Sequence, residues 1–175
     1  MKLLVVVDMQ NDFISGALGT PEAQAIVPNV ASKVQKYKED GEYIIYTADT
    51  HFDGYLNTQE GKNLPVPHCI HNTHGWQIAD GVYVNNAPIV KKFTFGSQEL
   101  PDRIYALEQY TDKHVESIEV VGLCTSICVI SNALILKSCF PEIPLIVDSK
   151  CCACVSPETH NAALLAMKTC QIEVV

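Results

Sequence analysis

Three residue types able to carry out nucleophilic chemistry stand far apart in this 175-residue chain, each at the carboxyl end of an apolar run. Asp8 lies in VVVDMQNDF, the pair Lys91 and Lys92 in IVKKFTFGS, and Cys128 in VVGLCTSICV. A thiol becomes a nucleophile when a neighbouring base takes its proton. A carboxylate is such a base once burial raises its pKa, and an ammonium beside it compensates its charge. Free cysteine is by itself more often a core residue than a catalyst. The position of Cys128 argues otherwise. Gly122 closes a strand, Thr125 and Ser126 are suited to cap a helix, and Cys128 falls in its first turn, where unsatisfied N–H groups and the helix dipole favour a thiolate and offer donors to an oxyanion. Asn11 and Asp12 read as solvated neighbours of Asp8. Strand alternation sends one lysine of the pair inward and leaves the other in water.

A second group of polar residues lies between. Asp49 and His51 are two apart, so in extended chain their side chains point the same way. Glu60 and His68 follow, with His71 and His74 nearby. Carboxylate and imidazole together suit zinc, manganese or iron. Spacing this irregular is also that of exposed loop histidines, so the pattern alone does not decide.

These residues converge only if particular elements form. Lys2–Val7 is almost wholly aliphatic, as in a strand covered on both faces of a parallel sheet. The pattern predicts a helix over 28–40 stopped by Gly41, then a strand over 42–48. Further strands are expected at 88–90, 117–121, 145–147 and 172–175, with helices at 100–110, 125–139 and 157–170. The stretch 50–87 is longer than an ordinary connection, as functional loops often are. The expectation is a three-layer, doubly wound α/β fold with a mainly parallel sheet of about six strands flanked by helices. In such sheets ligands bind beyond the carboxyl ends of the strands. No repeat or Gly/Ser linker divides the chain, so residues 1–175 read as a single domain.

Composition narrows the partners. The net charge is −8 and no basic run is present, which argues against a phosphate-backbone partner and no nucleic acid is expected. No run approaches the roughly 20 apolar residues of a membrane span, and no secretory leader is evident, so no membrane contact and a cytoplasmic location are expected. The eight cysteines read as thiols in a reducing compartment. Cys151, Cys152 and Cys154 form a thiol-rich turn after the 145–147 strand, read as structural because a fourth metal ligand is missing. Cys124, four residues before Cys128, is a candidate to pair with it under oxidation. Trp76 either lines a pocket mouth or pins the long loop.

DMQNDF, KKFTFGS and GLCTSICV, in that order, resemble the motifs of the isochorismatase-like cysteine hydrolases, and the resemblance spans the whole chain. Within that superfamily, DTH followed by PHC is similar to the metal-binding pattern of nicotinamidases, the pyrazinamidase group. The resemblance implies Asp8, Lys92 and Cys128 as a catalytic triad, with Lys92 chosen over Lys91 by its distance from Phe95. It implies an oxyanion hole from the N–H groups of Cys124 and Cys128, with a cis peptide before Cys124. Asp49, His51 and His68 are implied metal ligands, and Glu60 is preferred as the fourth over Asn57 or His71. The cofactor implied is a divalent metal ion, zinc foremost with manganese or iron as alternatives, whose part is to bind and orient a pyridine ring.

Phe13 stands where the family places an aromatic wall. The tryptophan often found before PHC is replaced by Pro65 and Val66. The activity implied is hydrolysis of nicotinamide to nicotinate and ammonia through a thioester on Cys128, in NAD salvage (pyridine nucleotide biosynthesis). The alternative is an amidohydrolase of another small amide, a ureido or carbamoyl compound, using the same triad. A small-molecule amide is the expected substrate and a homo-oligomer the expected assembly.

Overall fold

The computed structural model describes residues 1–175. Six strands, β1 (Lys2–Val7), β2 (Tyr43–Asp49), β3 (Ile89–Lys92), β4 (Ser117–Leu123), β5 (Leu145–Ala153) and β6 (Glu173–Val174), form one sheet in the order β3-β2-β1-β4-β5-β6. Every adjacent pair is parallel. The helices are α1 (Asn11–Ile14), α2 (Pro21–Glu39), α3 (Gln59–Asn63), α4 (Glu99–Thr111), α5 (Ile130–Cys139) and α6 (Pro157–Thr169).

The alternation of β1 builds the layers. Leu4 and Val6 face α2, packing with Ala23, Ile26, Val30 and Val34. Leu3, Val5 and Val7 face the other helices, packing with Leu100 and Ile104 of α4, Ala133 and Leu136 of α5 and Met167 of α6. Strand order reverses between β1 and β4, so their carboxyl ends open a crevice between neighbouring strands. Asp8 leaves β1 there, and the Cys124–Cys128 segment leaves β4.

Three boundaries differ from expectation for local reasons. The first long helix begins at Pro21, not 28, because the Thr20 side chain caps it by accepting from the Ala23 N–H and Pro21 occupies the first turn. Pro28 lies inside this helix on its exposed face, where solvent can satisfy the carbonyl left without a donor. The helix expected over 125–139 opens as a π turn, Thr125–Val129, before α5 begins. β5 runs to Ala153, past the polar Asp148, Ser149 and Lys150 that seemed to end it, because a bulge shifts its register against β4 between Val120 and Gly122. Cys151 and Cys152 therefore sit in a strand. They pack into opposite cores, so they cannot converge on one metal ion.

Residues between β2 and β3 are pinned rather than loose. Tyr55, Cys69, Ala79 and Val82 are buried, and isolated bridges join His51 to Ile70 and Gln10 to Ile78.

Candidate active site and metal-ligand cluster

The alternation of β3 buries Lys92 and leaves Lys91 exposed. Lys91 instead approaches the His71 Nε2 at 3.0 Å and lies over the Trp76 ring. The Lys92 Nζ is 2.7 Å from Asp8 Oδ2, 3.1 Å from Asp49 Oδ1 and 3.4 Å from Cys128 Sγ, and it donates to the Thr94 carbonyl at 3.2 Å. Asp8, Lys92 and Cys128, far apart in sequence, thus meet in one buried cluster.

Burial raises the Asp8 carboxyl above its ordinary range, against the opposing pull of Lys92. Burial, then the Asp8 charge, also pushes the Cys128 thiol well up, although Lys92 draws it down. This differs from the thiolate expected in a helix first turn. The dipole acts through partial charges, whereas complete desolvation beside an anion acts on the whole charge and prevails. Burial works against the Lys92 ammonium, but Asp8, Cys128 and Asp49 hold its pKa well above normal. The resting cluster therefore holds a neutral Cys128 thiol and a protonated Lys92.

The backbone before Cys128 departs from a regular helix. The Leu123–Cys124 peptide is cis. In the π turn the Cys124 carbonyl accepts from Ile127 at 3.0 Å and Val129 at 3.1 Å, bypassing the Cys128 N–H.

The second cluster also assembles. One ligating atom each from Asp49, His51, Glu60 and His68 lies within 4.8 Å of the others. Asp49 Oδ2 is 3.0 Å from His51 Nε2 and 3.4 Å from His68 Nε2, and Glu60 Oε1 is 3.6 and 3.8 Å from the same two nitrogens. Such separations suit four ligands around one cation at roughly 2 Å each. His51 Nε2 is buried with no hydrogen-bond partner, an orphan that a metal ion would satisfy. The His68 Nδ1 lies 2.8 Å from the Val66 carbonyl, which assigns the proton to Nδ1 and leaves the Nε2 lone pair free for a metal. The residues fit a divalent metal ion with mixed nitrogen and oxygen ligands. Asn57 and His71 are not in this group.

A cavity of about 370 Å³ touches both clusters, lined by Cys128 and Cys124, by Asp49, Glu60 and His68, and by the apolar Phe13, Leu64 and Phe95. Phe13 stands 5.5 Å from the His68 ring, centre to centre. Trp76 is not in the cavity. Its indole N–H donates to Thr50 Oγ1 at 2.9 Å, so it pins the long loop.

Several residues of the site carry no chemical signature in sequence. The Thr47 hydroxyl donates to Asp8 Oδ1 at 2.7 Å. Gln10, wholly buried, accepts from the Asp49 N–H and donates to the Asp49 and Trp76 carbonyls. Asn132 donates to the Cys128 carbonyl at 2.8 Å and accepts from the Ser97 N–H at 2.9 Å. Only Asn132 carried a usable signal, standing one helical turn after Cys128. Asp12 is not a free surface carboxylate, because it accepts from the Cys69 N–H at 2.7 Å.

A three-layer α/β architecture with an all-parallel sheet and a buried Asp, Lys and Cys gathered beside its strand-order reversal defines the class. The sequence model of the Isochorismatase domain matches residues 2–175, and the chain belongs to that family. It is similar to the nicotinamidase of Saccharomyces cerevisiae, with 26% identity over 215 residues covering 100% of this chain and 99% of the relative. It is also similar in structure to the pyrazinamidase of Pyrococcus horikoshii, solved in complex with zinc. That comparison gives a TM-score of 0.84 and 30% identity, covering 99% of this chain and 98% of the other. The N-carbamoylsarcosine amidase of Thermoplasma acidophilum shares the fold, with a TM-score of 0.79 and 22% identity over 99% of this chain and 95% of its own.

Proposed function

We propose that this protein is an amidohydrolase converting nicotinamide to nicotinate and ammonia, with Asp8, Lys92 and Cys128 as its catalytic residues. One observation carries the reading. Cys128 lines a largely apolar cavity that Asp49, Glu60 and His68 line as well, so a flat ring bearing a carboxamide and a ligating nitrogen finds a nucleophile and metal ligands in one pocket. The nicotinamidase and pyrazinamidase relatives support it.

The neutral thiol and ionised Asp8 set the first step. Asp8, which shares the Lys92 ammonium with Cys128, accepts the thiol proton as the sulfur attacks the carboxamide carbon. The tetrahedral oxyanion is held by the N–H groups of Cys124 and Cys128. Asp8 then protonates the departing ammonia and later takes a proton from the water that cleaves the thioester. Lys92 holds Asp8 at 2.7 Å and keeps its anion favourable between steps. A divalent metal ion, zinc foremost, held by Asp49, His51, Glu60 and His68 would supply a positive anchor for the ring nitrogen, a positioning role. A small-molecule substrate, a role in NAD salvage, a cytoplasmic location and a homo-oligomeric state complete the proposal. The eight unpaired thiols accord with a reducing compartment.

Another small amide is the second reading, favoured by the aliphatic Leu64 in the cavity wall and by Pro65 and Val66 where an aromatic ring clamp is absent.

Ammonia release from nicotinamide, measured beside Cys128→Ala and a chelator-treated sample, tests the proposal. Activity in the untreated protein, lost by on the order of 10⁴-fold or more in the variant and restored by zinc after chelation, is expected. No ammonia from metal-replete protein overturns the nicotinamide assignment and directs the assay to ureido and carbamoyl amides.

A further inference from the structure

The thiol beside the nucleophile's loop is unlike the other cysteines. Cys154 follows β5, and two hydroxyls approach its sulfur. The Ser126 hydroxyl lies 2.9 Å away and the Thr159 hydroxyl donates at 3.4 Å; one comes from the segment that bears Cys128 and the other from the first turn of α6. Leu123 and Ala153 are register partners on neighbouring strands, so Cys124 and Cys154 follow them side by side. The isochorismatase-type chemistry proposed above uses neither sulfur of the Cys124–Cys154 pair.

We propose that Cys124 and Cys154 form a hydroperoxide-reactive dithiol that closes reversibly to a disulfide beside the active site. The charge state suits this role. The neighbouring Cys124 thiol, then the Ser126 and Thr159 hydroxyls, lower the Cys154 pKa to about 4 against the burial that opposes ionisation, while Cys124 is held protonated. Cys154 is then the thiolate that reacts and Cys124 the thiol that resolves. Cys154 is itself buried, and a small hydroperoxide reaches it past Cys124 and Val155, both of which line the cavity.

In the first step the Cys154 sulfur attacks the hydroperoxide. An S–O bond forms, the O–O bond breaks, and the departing oxygen takes a proton to leave as water or an alcohol. The Cys124 sulfur, on losing its proton, attacks the sulfenic sulfur; the S–S bond forms, the S–O bond breaks, and water leaves. Two electrons pass from the two sulfurs to one hydroperoxide. The sulfurs must close to about 2.05 Å, which pulls on Cys124, whose N–H the proposed mechanism assigns to the oxyanion.

The pairing is testable without any substrate. Reduced full-length protein is exposed to one equivalent of hydrogen peroxide, alkylated and digested with trypsin. Cys124 and Cys128 fall in the peptide 114–137, and Cys154 falls in 151–168. The expected product is a disulfide between these two peptides, mapped by fragmentation to Cys124 and Cys154, lost with dithiothreitol and formed before Cys128 is oxidised. Cys154→Ser abolishes it. Thr159→Val, which keeps both sulfurs and removes one donor, slows its formation, so the inference stays testable should the first variant fold poorly. Oxidation of Cys128 with Cys154 still alkylatable, or a Cys124–Cys128 link within one peptide, overturns it. Neither outcome depends on which amide the enzyme hydrolyses.

Discussion

At the scale of single residues, the candidate base is set by what lies on either side of it. Asp8 Oδ1 accepts from Thr47 and Oδ2 faces Lys92. Both partners favour the anion, against the burial that raises the Asp8 pKa. Removing the Thr47 hydroxyl shifts that balance toward the neutral acid. Thr47→Val is expected to lower kcat/KM by about tenfold or more, because a hydrogen bond to a charged group contributes about 1.5–3 kcal/mol. A base acts only when ionised, so a raised Asp8 pKa moves the acidic limb of the kcat/KM profile to higher pH. Thr47→Ser restores both. A loss of activity with an unmoved acidic limb would show that Thr47 matters for folding and not for Asp8.

Elements decide whether the residues meet. β1 and β4 lie side by side, with Val7 paired to Gly122. Gly122 has φ of +121°, and a Cβ there would run into the Val7 backbone, so the strand end that feeds Cys124 into the site needs a residue without a side chain. Gly122→Ala is expected to cost about 2–4 kcal/mol in urea denaturation, with activity lost in the surviving folded fraction. Gln10 performs a related task between β2 and the long loop, gripping both backbone groups of Asp49 and the carbonyl of Trp76. Partners one step behind metal ligands typically count for 10–100-fold in affinity. Gln10→Ala is accordingly expected to weaken zinc binding about 10–100-fold, read by competition with a chromophoric chelator independently of turnover.

Across the whole molecule, one ionic cluster ties the α2 layer to the sheet. Lys33 reaches Glu119 of β4 and, at 2.7 Å, Asp148 of β5, while the Tyr37 hydroxyl also donates to Glu119. Partial burial opposes ionisation of Asp148, yet Lys33 and the Lys150 N–H hold its carboxyl below the usual carboxylate range. A folded pKa below the unfolded one contributes stability above the unfolded value, near 3.9, that is lost as pH falls through the folded value. Lys33→Met should therefore destabilise by about 2 kcal/mol at pH 7, with the gap to the parent narrowing below about pH 4 in denaturant titrations. A gap independent of pH would assign the loss to packing of the lysine stem.

Local patterns carried the βα alternation, because strands buried on both faces must be continuously apolar and their helices must repeat near 3.6 residues. Residue types also marked Asp8, the Lys91–Lys92 pair, Cys128 and a group of carboxylates and imidazoles, while the choice of Lys92 and of Asp49, His51, Glu60 and His68 came from the family resemblance. Where local rules erred, tertiary context had outweighed them. Pro28 was tolerated on a solvent face, β5 continued through a bulge past Asp148, and the first-turn Cys128 was desolvated rather than ionised. The roles of Thr47 and Gln10 were illegible because each depends on contacts about 39 residues distant, and neither residue type announces a partner. The joining of Asp49 to Lys92, which brings the metal-ligand cluster against the nucleophile, and the contact of Ser126 with Cys154 were likewise decided by the tertiary structure. Sequence names the groups that can react; their distances and desolvation arise only when the parallel strands bring separate segments to one edge of the sheet.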